Sequence, residues 1–308
     1  MAILYMAEPG SAAQWRQAFL ESAPELEFRE WPEVGDARDI EYLIAWKPMP
    51  RLMAQFPNLS VLYSAGAGVD QFDLSELPEH VSLVRLVDGA MADIMAEYVT
   101  FAVLALHRDI LTYQNSQRER RWAPLPIIPA CERRVGVMGL GNLGQVALQR
   151  LQPLGFQLHA WSRSPKAVAG GRCYVGNEQL HAFLGQCDIL INLLPLTPET
   201  TGILNATTLG ALPTGAGVVN VGRGAHVVEQ DLLAALDTGK VAGAVLDVLD
   251  QEPPLPDHPF WRHPRVLLTP HIASNVQVEG AVDVIVRNLH RARSGLPLLN
   301  TVHRGKGY

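Results

Sequence analysis

The chain has 308 residues, enough for about two domains, and its 48% hydrophobic and 18% charged composition can bury substantial cores, which excludes a disordered chain. Its 25 Lys and Arg against 31 Asp and Glu give a net charge of -6, so no broad basic field is available for nucleic acid or an anionic membrane surface. No uninterrupted apolar run approaches the ~18 residues of a bilayer span, and the N-terminal MAILYMAEPG has neither a basic region nor a cleavage pattern. Cys131, Cys173 and Cys187 lack metal-type spacing and fit a reducing cytoplasm.

From the N-terminus, AILYM reads as a strand, AAQWRQAFLESA as a helix, LEFREW and EYLIAW as strands, and LSVLYSAGAGVD as a fourth strand running into a glycine turn. This βα alternation predicts an open parallel sheet, in which ligands bind beyond the carboxyl ends of the strands. Two such ends carry unusual loops, Trp46-Lys47-Pro48-Met49-Pro50 and Ala65 to Asp70, and either can be a substrate wall or a tight βα connection. Residues 92–117, without Gly or Pro, have helical apolar spacing and predict one long inter-domain helix, ending in the basic cluster Arg118, Arg120 and Arg121, read as a solvated helix end. The following WAPLPIIP cannot continue a helix or a central strand and is expected to wrap the domain boundary.

RRVGVMGLGNLG is the centre of the second half. Val135, Val137 and Met138 predict a buried strand, and a helix is expected from near Asn142 through Leu151. Gly139, Gly141 and Gly144 have the G-x-G-x-x-G spacing of a dinucleotide loop, in which Gly139 allows the tight turn, Gly141 the approach of a pyrophosphate to backbone amides, and Gly144 close packing of helix on strand. Leu140, Asn142 and Leu143 lie between them, and N–H groups at the helix start would hold the phosphates. Three glycines alone could equally be a structural turn; strand before and helix after favour the cofactor loop.

FQLHAW predicts the next strand, ending at Ser162, Arg163 and Ser164 with Lys166 beyond. Ser162 stands 18 positions after Gly144, where an acid would bind the ribose 2'-hydroxyl of NAD. No Asp or Glu occurs there, and Arg163, Ser164 and Lys166 suit a 2'-phosphate, so NADP(H) is expected over NAD(H), which remains possible; the bland alternative is a surface arginine beside a turn. Further strands are predicted from Ile189 to Leu194, ending at Pro195, from Val218 to Val221, broken by Gly222-Arg223-Gly224 and followed by a helix opening near Glu229, then up to Asp247, and up to Thr269. Their ends present Arg223, Asp247, Glu252 and His271 at one edge of a parallel sheet. Taken singly, Arg223 could cap a carbonyl, Asp247 a turn, and Glu252 could be a surface acid.

GLGNLG, LLPLTPETTGIL, NVGRG, the LDV…QEP segment and TPHIA together make the chain resemble the NAD(P)-dependent D-2-hydroxyacid dehydrogenases. Within that family AWKPMP, WSRS, DHPFWRHPRV and the GKGY ending are most similar to the short glyoxylate/hydroxypyruvate reductases of the bacterial A type. The resemblance implies an α/β protein of two Rossmann-like, doubly wound parallel-sheet domains. A cofactor domain (99–274) is inserted into a discontinuous substrate domain (1–98 and 275–308), to which a helix over 282–292 returns. It implies a homodimer in which the long helix takes part. It also implies reduction of a small 2-keto acid, glyoxylate or hydroxypyruvate, to the 2-hydroxy acid, with hinge closure excluding water.

In that chemistry Arg223 anchors the carboxylate and polarises the carbonyl, and His271 donates the proton. Glu252 holds the other ring nitrogen and stabilises the imidazolium, favouring reduction at neutral or slightly acid pH. Asp247 is carried over as a group orienting the nicotinamide carboxamide. Backbone amides of Ala67, Gly68 and Val69 would share the substrate carboxylate, and Trp46 would close a small apolar wall. Val221, Gly222, Leu194 and Pro195 are expected along the cofactor, with Arg223 and His271 touching both ligands. The alternatives are a nicotinamide-sensing regulatory or scaffold protein on the same fold, or a dehydrogenase of bulkier 2-keto acids. No nucleophile elbow, H-E-x-x-H or C-x-x-C occurs, no metal is expected, and His258 and His263 are read as solvent-facing.

Overall fold

The computed structural model describes the chain except residues 8–9, 48–50, 67, 88 and 305–308 and the side chain at 53. The expected substrate contact of Ala67, the Pro48-Met49-Pro50 part of the AWKPMP loop and the GKGY ending therefore lie outside the described residues. The chain divides into two compact units, Met1–Met91 with Asn275–Tyr308, and Ala92–Ser274.

The first unit is built on β1 (Ala2–Met6), β2 (Glu27–Glu30), β3 (Ile40–Ala45), β4 (Val61–Ser64) and β5 (Ser82–Arg85), all parallel, in the order β2-β1-β3-β4-β5. β4 is buried along its whole length, as expected of a parallel strand covered on both faces. The helix Ala12–Ser22 lays Trp15 and Phe19 into the same core as Val282, Ile285 and Leu289 of the C-terminal helix Val278–Arg293. That helix starts four residues before the expected 282, because Val278 and Ala281 extend its buried stripe. Asn288 is fully buried and makes two bonds to one residue: its amide donates to Leu299 O (3.2 Å), and its carbonyl oxygen accepts from Leu299 N (2.7 Å). The chain beyond is thereby held against β5, where Arg85 N donates to Asn300 O and Val302 N to Leu83 O.

The second unit carries β6 (Arg134–Met138), β7 (Gln157–Ser162), β8 (Gly171–Val175), β9 (Ile189–Asn192), β10 (Ala216–Asn220), β11 (Val241–Leu246) and β12 (Val266–Leu268) in one parallel sheet. The order β12-β11-β10-β9-β6-β7-β8 reverses between β6 and β9, which makes that gap the topological switch point of a doubly wound sheet.

Three expectations are corrected. The long helix is two, Gly89–His107 and Ile110–Arg118, interrupted at Asp109, which takes a left-handed conformation (φ 55°); Asp tolerates that conformation better than most residues, so no Gly or Pro is needed to break the helix. The unit boundary falls at 91/92 and not at 98/99, because Met95, Val99, Ala102 and Val103 of the first helix already belong to the second unit's core. That helix is also long and apolar enough, by length and composition, to cross a membrane; 44% of its apolar window is buried inside the structure, the same four side chains included. The proline-rich segment after Ile110–Arg118 forms neither helix nor strand and is exposed, with Trp122 at 97%. Leu125 N donates to Tyr113 Oη (3.0 Å) and pins it to the preceding helix.

Asn288→Leu should leave both backbone groups of the half-buried Leu299 without these partners and cost about 2 kcal/mol, read as a lower thermal midpoint; an unchanged midpoint would show that the pair contributes nothing.

Candidate active site

The loop after β6 behaves as three different glycines. Gly139 has φ +98°, and a Cβ there would lie 2.7 Å from Leu193 O, so the loop abuts the one following β9 at the switch point. A Cβ at Gly144 would lie 2.0 Å from Gly139 O, so only glycine lets the helix Asn142–Leu151 start this close to the strand. A Cβ at Gly141 would meet nothing within 4 Å: this exposed residue is the N-cap, and no side chain caps the helix. An uncapped helix start with open space before it fits a pyrophosphate.

At the end of β7, Ser162 is buried and its hydroxyl donates to Ser164 O (2.6 Å), so it shapes the turn. Arg163 and Ser164 are exposed. Lys166 Nζ donates to Leu140 O (2.5 Å), which draws this loop onto the glycine loop. The residues after β7 thus offer cations and hydroxyls beside the phosphate loop and no acid, which fits a 2'-phosphate.

The loops after β10, β11 and β12 gather the reacting groups. Asp247, at the end of β11, is buried. Its Oδ1 accepts from Thr269 Oγ1 (2.5 Å) and Ile272 N (2.9 Å), and its Oδ2 from Ala273 N (2.8 Å). Its carbonyl accepts from His271 N (2.9 Å). His271 is held between these anchors at φ 54°. Its Nδ1 lies 2.7 Å from Glu252 Oε2, and Glu252 Oε1 accepts from Leu249 N (3.0 Å). Burial works against charge on Glu252, yet the bonds from His271 and Leu249 N, with the positive charges of His271 and Arg223, hold its carboxyl below the ordinary 4.5. Arg223 therefore shares the neighbourhood of the pair. Its backbone is extended, and its Nη1 donates to Gly222 O (2.9 Å), folding the side chain back over its own loop.

The structure thus brings Arg223, Glu252 and His271 together and gives Asp247 a task beyond the one expected. Both its oxygens hold the backbone that carries His271. Tyr98 extends this anchor: its hydroxyl lies 2.5 Å from Thr269 Oγ1, and burial, with the Asp247 charge, pushes the phenol up to about 12. Two further residues escaped sequence reasoning. A Cβ at Gly224 would lie 1.8 Å from Leu249 C, so the Arg223 loop can touch the backbone supporting Glu252 only because residue 224 is glycine. His226 is fully buried and bonded to both the Arg223 and Leu194–Pro195 loops.

In the first unit, a Cβ at Gly66 would lie 2.5 Å from the Trp46 ring, so the indole rests on the glycine turn. Ser64 Oγ donates to Gly68 O (2.7 Å). The Val69 side chain is buried in that unit's core, leaving only its backbone as a candidate contact. His258 and His263 are not solvent-facing. Each accepts a backbone N–H at Nδ1, from Phe260 and Arg265, and meets an acid at Nε2, Glu229 at 3.0 Å and Asp237 at 3.4 Å. They close turns. No group of three or more His, Cys, Asp or Glu that could hold a metal occurs among the described residues.

Residues 100–273 match the family model described as D-isomer specific 2-hydroxyacid dehydrogenase, NAD binding domain. Over the full length of both chains, the sequence is 43% identical to a glyoxylate/hydroxypyruvate reductase A of Salmonella newport. The structure is similar to a D-isomer specific 2-hydroxyacid dehydrogenase of Xanthobacter autotrophicus Py2 in complex with NADPH and MES (TM-score 0.94, 41% identity, covering 100% of this chain and 99% of that one). It is also similar to an NADPH-dependent glyoxylate/hydroxypyruvate reductase of Sinorhizobium meliloti in complex with NADP and sulfate (TM-score 0.92, 35% identity, 100% and 99%).

Two consequences are measurable. Gly224→Ala should force the Arg223 and Glu252 loops apart and lower kcat/KM by about tenfold or more, since misplacement on the ångström scale is that costly; a wild-type value would sink the packing argument. Because the Glu252 carboxyl titrates below 4.5, the carboxylate that faces His271 is present above that pH and is lost only as pH falls through the lower folded value. Glu252→Gln should remove this acid limb from the kcat/KM profile, whereas an unmoved limb would assign it to another group.

Proposed function

The chain belongs to the D-isomer specific 2-hydroxyacid dehydrogenase family, and from that premise we propose that it reduces small 2-keto acids such as glyoxylate and hydroxypyruvate with NADPH, through Arg223, Glu252 and His271. The observation that carries this reading is the His271–Glu252 bond of 2.7 Å with the Arg223 charge acting on the same carboxylate. A proton donor, its orienting base and a carboxylate anchor then stand at adjoining loops of one sheet edge.

NADPH, when bound, supplies the hydride that goes to C2 of the keto acid. Arg223 holds the substrate carboxylate and stabilises negative charge on the carbonyl oxygen. His271 gives its proton to that oxygen and takes it back when the alcohol is oxidised. Glu252 keeps the ring oriented and stabilises the imidazolium. Gly139, Leu140, Gly141, Asn142, Leu143 and Gly144 cradle the pyrophosphate; Arg163, Ser164 and Lys166 receive the 2'-phosphate; Leu194, Pro195, Val221 and Gly222 flank the ring. Trp46, Gly68 and Val69 remain the proposed substrate contacts of the first unit. The complete Arg223, Glu252 and His271 set favours turnover over a sensing role, for which proton donation would be superfluous.

The protein is further proposed to act as a cytoplasmic homodimer. Phe101, Ile110, Trp122, Leu125, Ile127 and Ile128 are exposed large apolar side chains on the two helices and proline-rich segment of the second unit, which supports burial against a second copy. Its three cysteines are free, in keeping with a reducing compartment.

His271→Ala and Arg223→Ala should each lower kcat/KM for glyoxylate by on the order of a hundredfold or more, followed as loss of NADPH absorbance; retained turnover would refute the assignment. Arg163→Ala should raise KM for NADPH about tenfold or more and leave KM for NADH unchanged. An equal effect on both cofactors would remove the 2'-phosphate role. Trp122→Ser with Ile127→Ser should shift the mass in light scattering from dimer to monomer; a monomeric wild type would end the dimer reading.

A further inference from the structure

The buried imidazole of His226 lies in a closed network whose every polarity is fixed by a backbone group. Asn220 Oδ1 accepts from Gly222 N (3.3 Å), and Asn220 Nδ2 donates to Arg223 O (3.0 Å), which sets the orientation of that amide. Asn192 Oδ1 accepts from Leu194 N (3.3 Å), so the group it turns to Asn220 Oδ1 (2.9 Å) and to His226 Nδ1 (2.8 Å) must be its NH2. His226 Nδ1 also accepts from Arg223 N (3.1 Å). At the other side of the ring, Nε2 lies 3.2 Å from Pro195 O, which can only accept. Nδ1 thus faces two obligate donors and Nε2 one obligate acceptor. A proton on Nδ1 would point at two N–H groups in a place without solvent, since Asn192, Asn220 and His226 are all 0% exposed.

We propose that His226 is a positioning residue, held neutral with its proton on Nε2, that locks the backbone of Arg223 to the carbonyl of Pro195. The two residues belong to the loops following β10 and β9, neighbouring strands in which Asn220 pairs with Asn192. One loop carries the proposed carboxylate anchor and the other a proposed cofactor contact, so this inference rests on the function proposed above. Without the ring acceptor, Arg223 N and Asn192 Nδ2 each lose a partner, and the guanidinium loses the backbone reference from which it reaches the substrate. Gly222 belongs to the same device: a Cβ there would lie 3.0 Å from both Asn192 Nδ2 and His226 Nδ1.

The tautomer is read directly from 15N spectra of histidine-labelled protein at pH 7, with His226 assigned by its loss in His226→Asn. Unprotonated Nδ1 with protonated Nε2 supports the proposal; a protonated Nδ1 overturns it, whatever the activity. In kinetics with NADPH, His226→Leu should raise KM for glyoxylate about tenfold or more. His226→Asn, which keeps an oxygen acceptor near the Nδ1 position, should recover most of that loss. In an Arg223→Ala background, His226→Leu should change kcat/KM by less than about twofold, because the interaction it serves is already gone. An equal factor in both backgrounds, or equal loss in the Asn and Leu variants, would overturn the positioning role. A wild type that turns over no 2-keto acid would instead refute the proposed function, and the spectra would then decide the tautomer alone.

Discussion

The carboxylate of Asp247 controls where the site's imidazole stands. It is buried beneath the loop after β12 and receives the Thr269 hydroxyl and the N–H groups of Ile272 and Ala273, while its own carbonyl receives His271 N. A carboxylate satisfied by several donors is stable when buried, and these four bonds bracket a residue whose left-handed backbone would otherwise be unfavourable. His271 is thereby aimed at Glu252 from a scaffold of strands, which is more exact than a loop closing on itself. Tyr98 extends the support into the helix Gly89–His107 through Thr269, a chain of hydroxyls in which each polarises the next.

The remaining loops of this edge meet by contact and not by chance proximity. Gly224 lets the loop after β10 lie on Leu249, whose N–H holds the second oxygen of Glu252. Gly139 does the same for the loops after β6 and β9, bringing the glycine turn against Leu193. His226 then ties the β9 and β10 loops together. Missing side chains at two positions and one buried ring at a third thus let four strand ends act as a single surface. A reaction that needs hydride, proton and carboxylate anchor aligned together depends on such rigidity.

Much of this was legible in the amino-acid order. The glycine spacing, the absence of an acid at Ser162 and the sequence of polar residues at strand ends are local patterns, and each strand end announced itself by an apolar run that stops. What could not be read depends on partners distant in sequence. Asp247 looks the same whether it faces a ligand or three donors from residues 269 to 273. Ser162 looks like a ligand-facing hydroxyl until its bond to Ser164 O is seen. His226 follows the arginine motif as an unremarkable polar residue, and its value comes from Asn192, 34 positions earlier. The break at Asp109 was hidden because an aspartate does there what a glycine more commonly does.

In the proposed reaction Arg223 and His271 address opposite ends of the carboxylate and carbonyl unit of one keto acid. A crystal structure of the protein with NADP and oxamate, an inert isostere of the substrate, tests it most directly. The Arg223 guanidinium should lie on the oxamate carboxylate, with the His271 ring nitrogen that is not bonded to Glu252 within hydrogen-bond reach, about 3 Å, of its amide carbonyl oxygen. Oxamate bound with the imidazole turned away from that oxygen, or held without Arg223, would contradict it.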